Sequence, residues 1–149
     1  MKLKVSHFRQ STPHTCLPAC VEMVLDYWGE TYTEDELAEA FGTVPLLGTL
    51  PENVVSGIES LGYRALWFEG ATLDRLSKLL DQEWPIIVFL RSANLPYGVA
   101  GLHAVVVIEV TETSVSYLDP TLSYEYSLEI SDFLIAWSPL GNQGIVIWM

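Results

Sequence analysis

The stretch from Leu102 to Leu118 constrains the fold more than any other part of this chain. Leu102 to Val110 is a run of apolar, largely β-branched residues, and Ser114 to Leu118 is a second strand-like run. Only the polar link Thr111-Glu112-Thr113 separates them. Two such runs joined so briefly predict an antiparallel hairpin. Upstream, Pro85 to Arg91 is apolar almost throughout and reads as a buried strand. Tyr63 to Glu69, Tyr124 to Leu128 and Ile145 to Trp148 supply further strands. The first half is helical instead. A helix is expected from about Cys16 to Trp28, with Pro18 tolerated in its first turn, Gly29 ending it, and Ala19, Cys20, Met23, Val24 and Tyr27 forming its apolar stripe. Thr33 and Glu36 form a capping box for a second helix that stops at Gly42. A third covers Pro51 to Leu61, with Thr49 as cap and Gly62 as stop. A fourth runs from Leu73 to Gln82 behind Thr72, and Ser131 caps a last one through Trp137. Ser92 to Gly101, with two glycines and a proline, reads as a long loop of the kind that borders a site. The pattern predicts an α+β fold, helices gathered against an antiparallel sheet, in one domain over residues 1–149.

Composition narrows the function. Half of the 149 residues are hydrophobic and 17% are charged, as in a well-packed globular protein. A net charge of −12 argues against a nucleic-acid partner, which would call for basic patches, and against docking on anionic lipid. The N-terminal MKLKVSHFRQ lacks the apolar stretch of a signal peptide, and no apolar run is long enough to span a bilayer, so a cytoplasmic protein is expected. The two cysteines, Cys16 and Cys20, are four apart on one helix face, a geometry poorly suited to a disulfide.

The chemistry is concentrated around Cys16. A thiol at a helix N-terminus feels the positive end of the macrodipole, which favours the thiolate. Six residues upstream, Gln10 offers an amide donor that could hold a developing oxyanion. Cys20, one turn inside the helix, reads as a small buried hydrophobe. His7 and His14 lie in the segment leading into the helix, where a loop orients a general base poorly. His103 stands at the start of a strand, directly after the glycine-containing loop. The hairpin returns Asp119 to within a few residues of it, where a carboxylate can fix the imidazole tautomer and support the imidazolium. Cys16, Cys20 and His103 make a weak zinc signature, because a structural site wants four ligands and a catalytic one three well-spaced ones. No metal and no cofactor are expected. The aromatics Trp67, Phe68, Trp84 and Tyr97 could line a substrate groove but read more readily as core.

These residues carry a resemblance. Gln10 to Leu25, QSTPHTCLPACVEMVL, resembles the opening of the peptidase C39-like cysteine peptidases: Gln, five residues, Cys-Gly-Pro-Ala-Cys, then a helix. Tyr27-Trp28-Gly29, Gly101-Leu102-His103 with the apolar strand after it, and Leu118-Asp119-Pro120 resemble further parts of that pattern, and the likeness covers nearly the whole chain. It implies a papain-like fold with Cys16 as nucleophile, His103 as base, Asp119 as orienter, and Gln10 with the Cys16 N–H as oxyanion donors. Two positions depart from the family. Leu17 follows the nucleophile where glycine is usual, and Leu102 separates Gly101 from His103. The resemblance implies a peptide or small amide as substrate, cleaved through a thioester. Acyl transfer on the same site, or a silent peptide-binding module with Leu17 plugging the mouth, are the alternatives.

Overall fold

The computed structural model describes residues 2–45, 48–98 and 102–149, with only the backbone of Leu102; Gly101 and the end of the loop before it lie outside the described residues. Five α-helices and six strands are found among them: α1 (Cys16–Tyr27), α2 (Glu34–Ala40), α3 (Pro51–Ser60), β1 (Arg64–Phe68), α4 (Leu73–Asp81), β2 (Ile86–Arg91), β3 (Leu102–Val110), β4 (Ser114–Leu118), β5 (Tyr126–Glu129), α5 (Ile130–Trp137) and β6 (Gly144–Trp148). The α+β architecture expected from the sequence is what the chain adopts.

Local chemistry explains most boundaries. Gly29, with φ at 90°, takes the left-handed conformation just past α1. Thr33 and Glu36 close the capping box of α2 in both directions, and Thr72 accepts the Arg75 N–H at the head of α4. Two expected caps are not used. Leu50, not Thr49, is the N-cap residue of α3, and no side chain caps it. Thr49 is drawn off by Thr43, whose hydroxyl lies 2.5 Å away. Helix α5 begins at Ile130, so Ser131 falls inside its first turn, and Glu129 precedes the helix without a side-chain cap.

The sheet is antiparallel throughout, in the order β1-β6-β2-β3-β4-β5. The predicted hairpin is β3–β4, closed by the Thr111 N–H on the Ser114 carbonyl, with a register shift between Val107 and Glu109. Ile86 to Leu90 of β2 are buried at every position, so the sheet is covered on both faces there. Helices α1 and α4 lie against β3, and α5 against β2, β4 and β5. One continuous hydrophobic core runs from Leu3 through Met23, Val54, Ile87, Val106 and Trp137 to Ile147. At the start of β3 and just past the end of β4 this core gives way to the buried polar side chains of His103 and Asp119, and the site lies there.

Candidate active site

Cys16 is the first residue of α1, so its N–H has no carbonyl four residues back within the helix and is available as a donor. The loop before it is tied tightly. Thr15 Oγ1 donates to the Thr12 carbonyl at 3.1 Å and accepts the Thr12 N–H at 3.3 Å. Farther back, the Glu34 carboxylate at the start of α2 accepts the Ser11 N–H at 3.0 Å and the Ser11 hydroxyl at 3.1 Å. Glu34 is itself buried. The loop before Cys16 is therefore braced by bonds within it and by Glu34.

The hairpin register explains how His103 meets Asp119. Leu118 stands opposite Val106, so continuing the ladder brings Asp119 opposite Val105, two residues along from His103 and on the same face. Diagonal neighbours of this kind can touch, and they do: His103 Nε2 donates to Asp119 Oδ1 at 2.5 Å. Cys16 stands beside the imidazole, close enough that its side chain is among the groups that raise the His103 pKa. His103 is 2% exposed and Asp119 0%. Burial alone would lower the imidazole pKa, but the hydrogen bonds and charges of Asp119 and Cys16 outweigh it and raise His103 to about 9. Burial likewise works to raise the Asp119 carboxyl, and the donors around it, His103 first, hold it below its ordinary value instead. Cys20 is fully buried, and burial pushes its thiol well up, as suits an inert core residue.

Gln10 lies on the loop that leads into α1. Its backbone N–H donates to the Pro120 carbonyl at 2.8 Å, which ties the loop to the turn that carries Asp119. Its Nε2 donates one hydrogen to the Thr12 carbonyl at 2.7 Å and has a second to offer; among the described residues its Oε1 is buried without a partner. Leu17 is 3% exposed and belongs to the hydrophobic core.

Three contributors escaped the sequence reading. Tyr97 donates to Asp119 Oδ2 at 2.6 Å, and Thr121 gives Oδ1 its N–H at 2.8 Å and its hydroxyl at 2.7 Å. His7, read as part of the lead-in segment, donates through Nε2 to the Asp119 carbonyl at 2.7 Å. Only the Asp-Pro-Thr sequence hinted at any of this, since Asp and Thr at a turn commonly bond the backbone two residues on. The other aromatics divide. Trp67, expected in the core, is 40% exposed. Phe68 and Trp84 line an apolar groove of about 340 Å³ between β1, β6 and α4. Trp84 packs edge-on against Trp28, past the far end of α1 from Cys16, roughly 18 Å away at the helical rise. No helix among the described residues is long and apolar enough to cross a membrane.

Comparison with known proteins is consistent with this geometry. The profile of the Peptidase_C39 like family matches residues 2–145. Among solved structures, a Bacillus anthracis protein described as a C39-like peptidase superposes with a TM-score of 0.83 at 18% identity, covering 100% of this chain and 98% of its own. The peptidase domain of Streptococcus ComA, a bifunctional ABC transporter of a quorum-sensing pathway, gives 0.77 at 20% identity, covering 95% and 96%. A double-glycine-motif protease from an AMS/PCAT transporter, solved with its leader peptide, gives 0.77 at 17%, covering 99% and 93%. No curated protein matches the chain significantly.

Proposed function

The chain belongs to the Peptidase_C39 like family, and on that premise we propose that it is a cysteine peptidase-type hydrolase that cuts a peptide or amide bond through Cys16. The observation that carries this reading is the buried His103–Asp119 hydrogen bond with Cys16, the first residue of a helix, beside the imidazole. His103 takes the proton of the thiol, and the sulfur attacks as thiolate. Attack on the substrate carbonyl forms the C–S bond and places negative charge on the carbonyl oxygen. The Cys16 N–H, with no helical acceptor, and the second Nε2 hydrogen of Gln10 would receive that charge. Collapse expels the amine, which takes its proton from His103, and leaves a thioester. Neutral His103 then draws a proton from water, whose oxygen displaces the thiolate and releases the acid. Asp119 stays ionised throughout and stabilises the imidazolium each time it forms.

A peptide substrate is supported by the fold shared with a protease solved with a leader peptide. The chemistry needs Cys16 reduced, which suits a cytoplasmic setting. Iodoacetamide labelling followed by peptide mapping, with turnover measured on a pool of synthetic peptides, tests the proposal. The expected result is alkylation at Cys16 with Cys20 untouched, and no turnover by Cys16→Ala. Equal labelling of both cysteines, or cleavage that survives Cys16→Ala, would remove the reading.

A further inference from the structure

Asp119 has two carboxylate oxygens, and only one is committed to His103. Oδ1 takes the His103 N–H and both donors of Thr121; Oδ2 takes the Tyr97 hydroxyl at 2.6 Å. An ionised carboxylate can only accept, so the Tyr97 proton points at Asp119. The Tyr97 and Tyr117 oxygens are 2.7 Å apart. With Tyr97's single proton already spent, Tyr117 must donate to it. The result is a connected chain that converges on the carboxylate: Tyr117 donates to Tyr97 and Tyr97 to Asp119 Oδ2, while His103 donates to Oδ1 from the other side, with Cys16 beside the imidazole. We propose that Tyr97 is a positioning residue of this site, its phenol, backed by Tyr117, holding the buried Asp119 carboxylate in the orientation that keeps Oδ1 on His103.

The surroundings explain why such a residue is needed. Asp119 is wholly shielded from bulk solvent, and a buried carboxylate oxygen without a donor is costly. Tyr97 comes from the loop that follows the short 3₁₀ turn at Ser92–Asn94, so the same bond fastens that loop to the end of β4. Its ring packs edge-on against Tyr126, with centroids 4.8 Å apart. Phenylalanine keeps that packing and removes only the hydroxyl. The groups facing this chain are Cys16 and Cys20 from α1, His103 from β3, Tyr117 from β4, Tyr126 from β5, and His7, whose ring holds the Asp119 carbonyl. This inference concerns the site proposed above and rests on that reading for its kinetic arm alone.

The test is the ring titration of His103 by NMR in the intact chain, which needs no substrate, in wild type, Tyr97→Phe, Tyr117→Phe and Asp119→Asn. If Tyr97 positions the carboxylate, its loss lets Asp119 turn from Nε2, and the His103 midpoint falls from about 9 toward the ordinary imidazole range near ~6.5, in the direction of Asp119→Asn. A midpoint that rises would show a carboxylate still in place and merely stripped of a competing donor; that outcome, or an unchanged midpoint, overturns the proposal. Tyr117→Phe removes the donor behind Tyr97 and gives a smaller fall of the same sign. It becomes the deciding variant should Tyr97→Phe fail to fold, and no movement there is equally fatal. In the kinetic arm, Tyr97→Phe lowers kcat by about tenfold or more with KM nearly unchanged, as a misaligned catalytic group does. A fallen midpoint in a chain that cleaves nothing would keep this inference and remove the hydrolase; cleavage with an unmoved midpoint would do the reverse.

Discussion

At the scale of single residues, Asp119 couples the site to the stability of the fold. His103 has its pKa raised to about 9 in the folded chain, against ~6.5 for a free imidazole. A group raised in this way contributes stability that is complete below the unfolded value and is lost as pH climbs through the folded one. The denaturant midpoint of the wild type should therefore fall as pH rises from ~6.5 to about 9. Asp119→Asn, lacking the carboxylate, should be less stable at pH ~6.5 and show a flatter profile across the same window. Equal slopes in the two proteins would sink this. The lowered Asp119 carboxyl is the same contact seen from its other end: its contribution holds above the unfolded carboxylate value and is lost in acid, as pH falls through the folded one. His103 and Asp119 were both legible, because the hairpin fixes their approach within a residue or two. Tyr97 and Thr121 were not. One depends on the path of a loop and the other on which carboxylate oxygen faces the turn, and neither leaves a periodic trace in sequence.

At the scale of elements, the position of Cys16 depends on a brace between two helices. Ser11 precedes α1 and Glu34 opens α2, and the bonds between them hold the segment containing Gln10. Glu34→Ala leaves the Ser11 N–H without its charged partner. It should lower stability by about 1–3 kcal/mol and slow Cys16 alkylation as the loop loosens. Glu34→Gln, which keeps one acceptor, should recover part of both. Melting temperatures and alkylation rates measured together check this; a full loss of stability with an unchanged alkylation rate would show that the brace supports α2 and not the loop before Cys16. Capping marks the limit of the sequence reading at this scale. Thr33 and Thr72 act as predicted because each has a free N–H ahead of it in the first turn. Thr49 and Ser131 fail, since the chain gives one a hydroxyl partner and starts α5 before the other. A residue suited to capping specifies a helix start only where nothing nearby competes for it.

At the scale of the whole molecule, the α+β class followed from local patterns, whereas the order of the sheet did not. β6, the last strand, inserts between β1 and β2 and joins parts of the chain far apart in sequence. No local pattern encodes such a pairing; it is selected by burial of Ile145 and Ile147 in the shared core. Gly144 shows how tight that insertion is. A Cβ there would lie 2.6 Å from the Ile87 carbonyl oxygen and 2.6 Å from the Phe68 ring, the first of them backbone that cannot step aside. Gly144→Ala should therefore cost about 1–3 kcal/mol by overpacking. Because one core spans the chain, the loss should register everywhere at once. Tryptophan fluorescence reports five side chains, Trp137 in the core, Trp67 on β1, and Trp28, Trp84 and Trp148 clustered beyond the C-terminal end of α1, and Cys16 alkylation reports the helix's other end. In urea, both probes should give one shared midpoint in the wild type and one shared, lower midpoint in Gly144→Ala. If the tryptophan transition moved while the Cys16 transition stayed, β6 and the active site would belong to separately folding units, and the single domain expected over residues 1–149 would have to be divided.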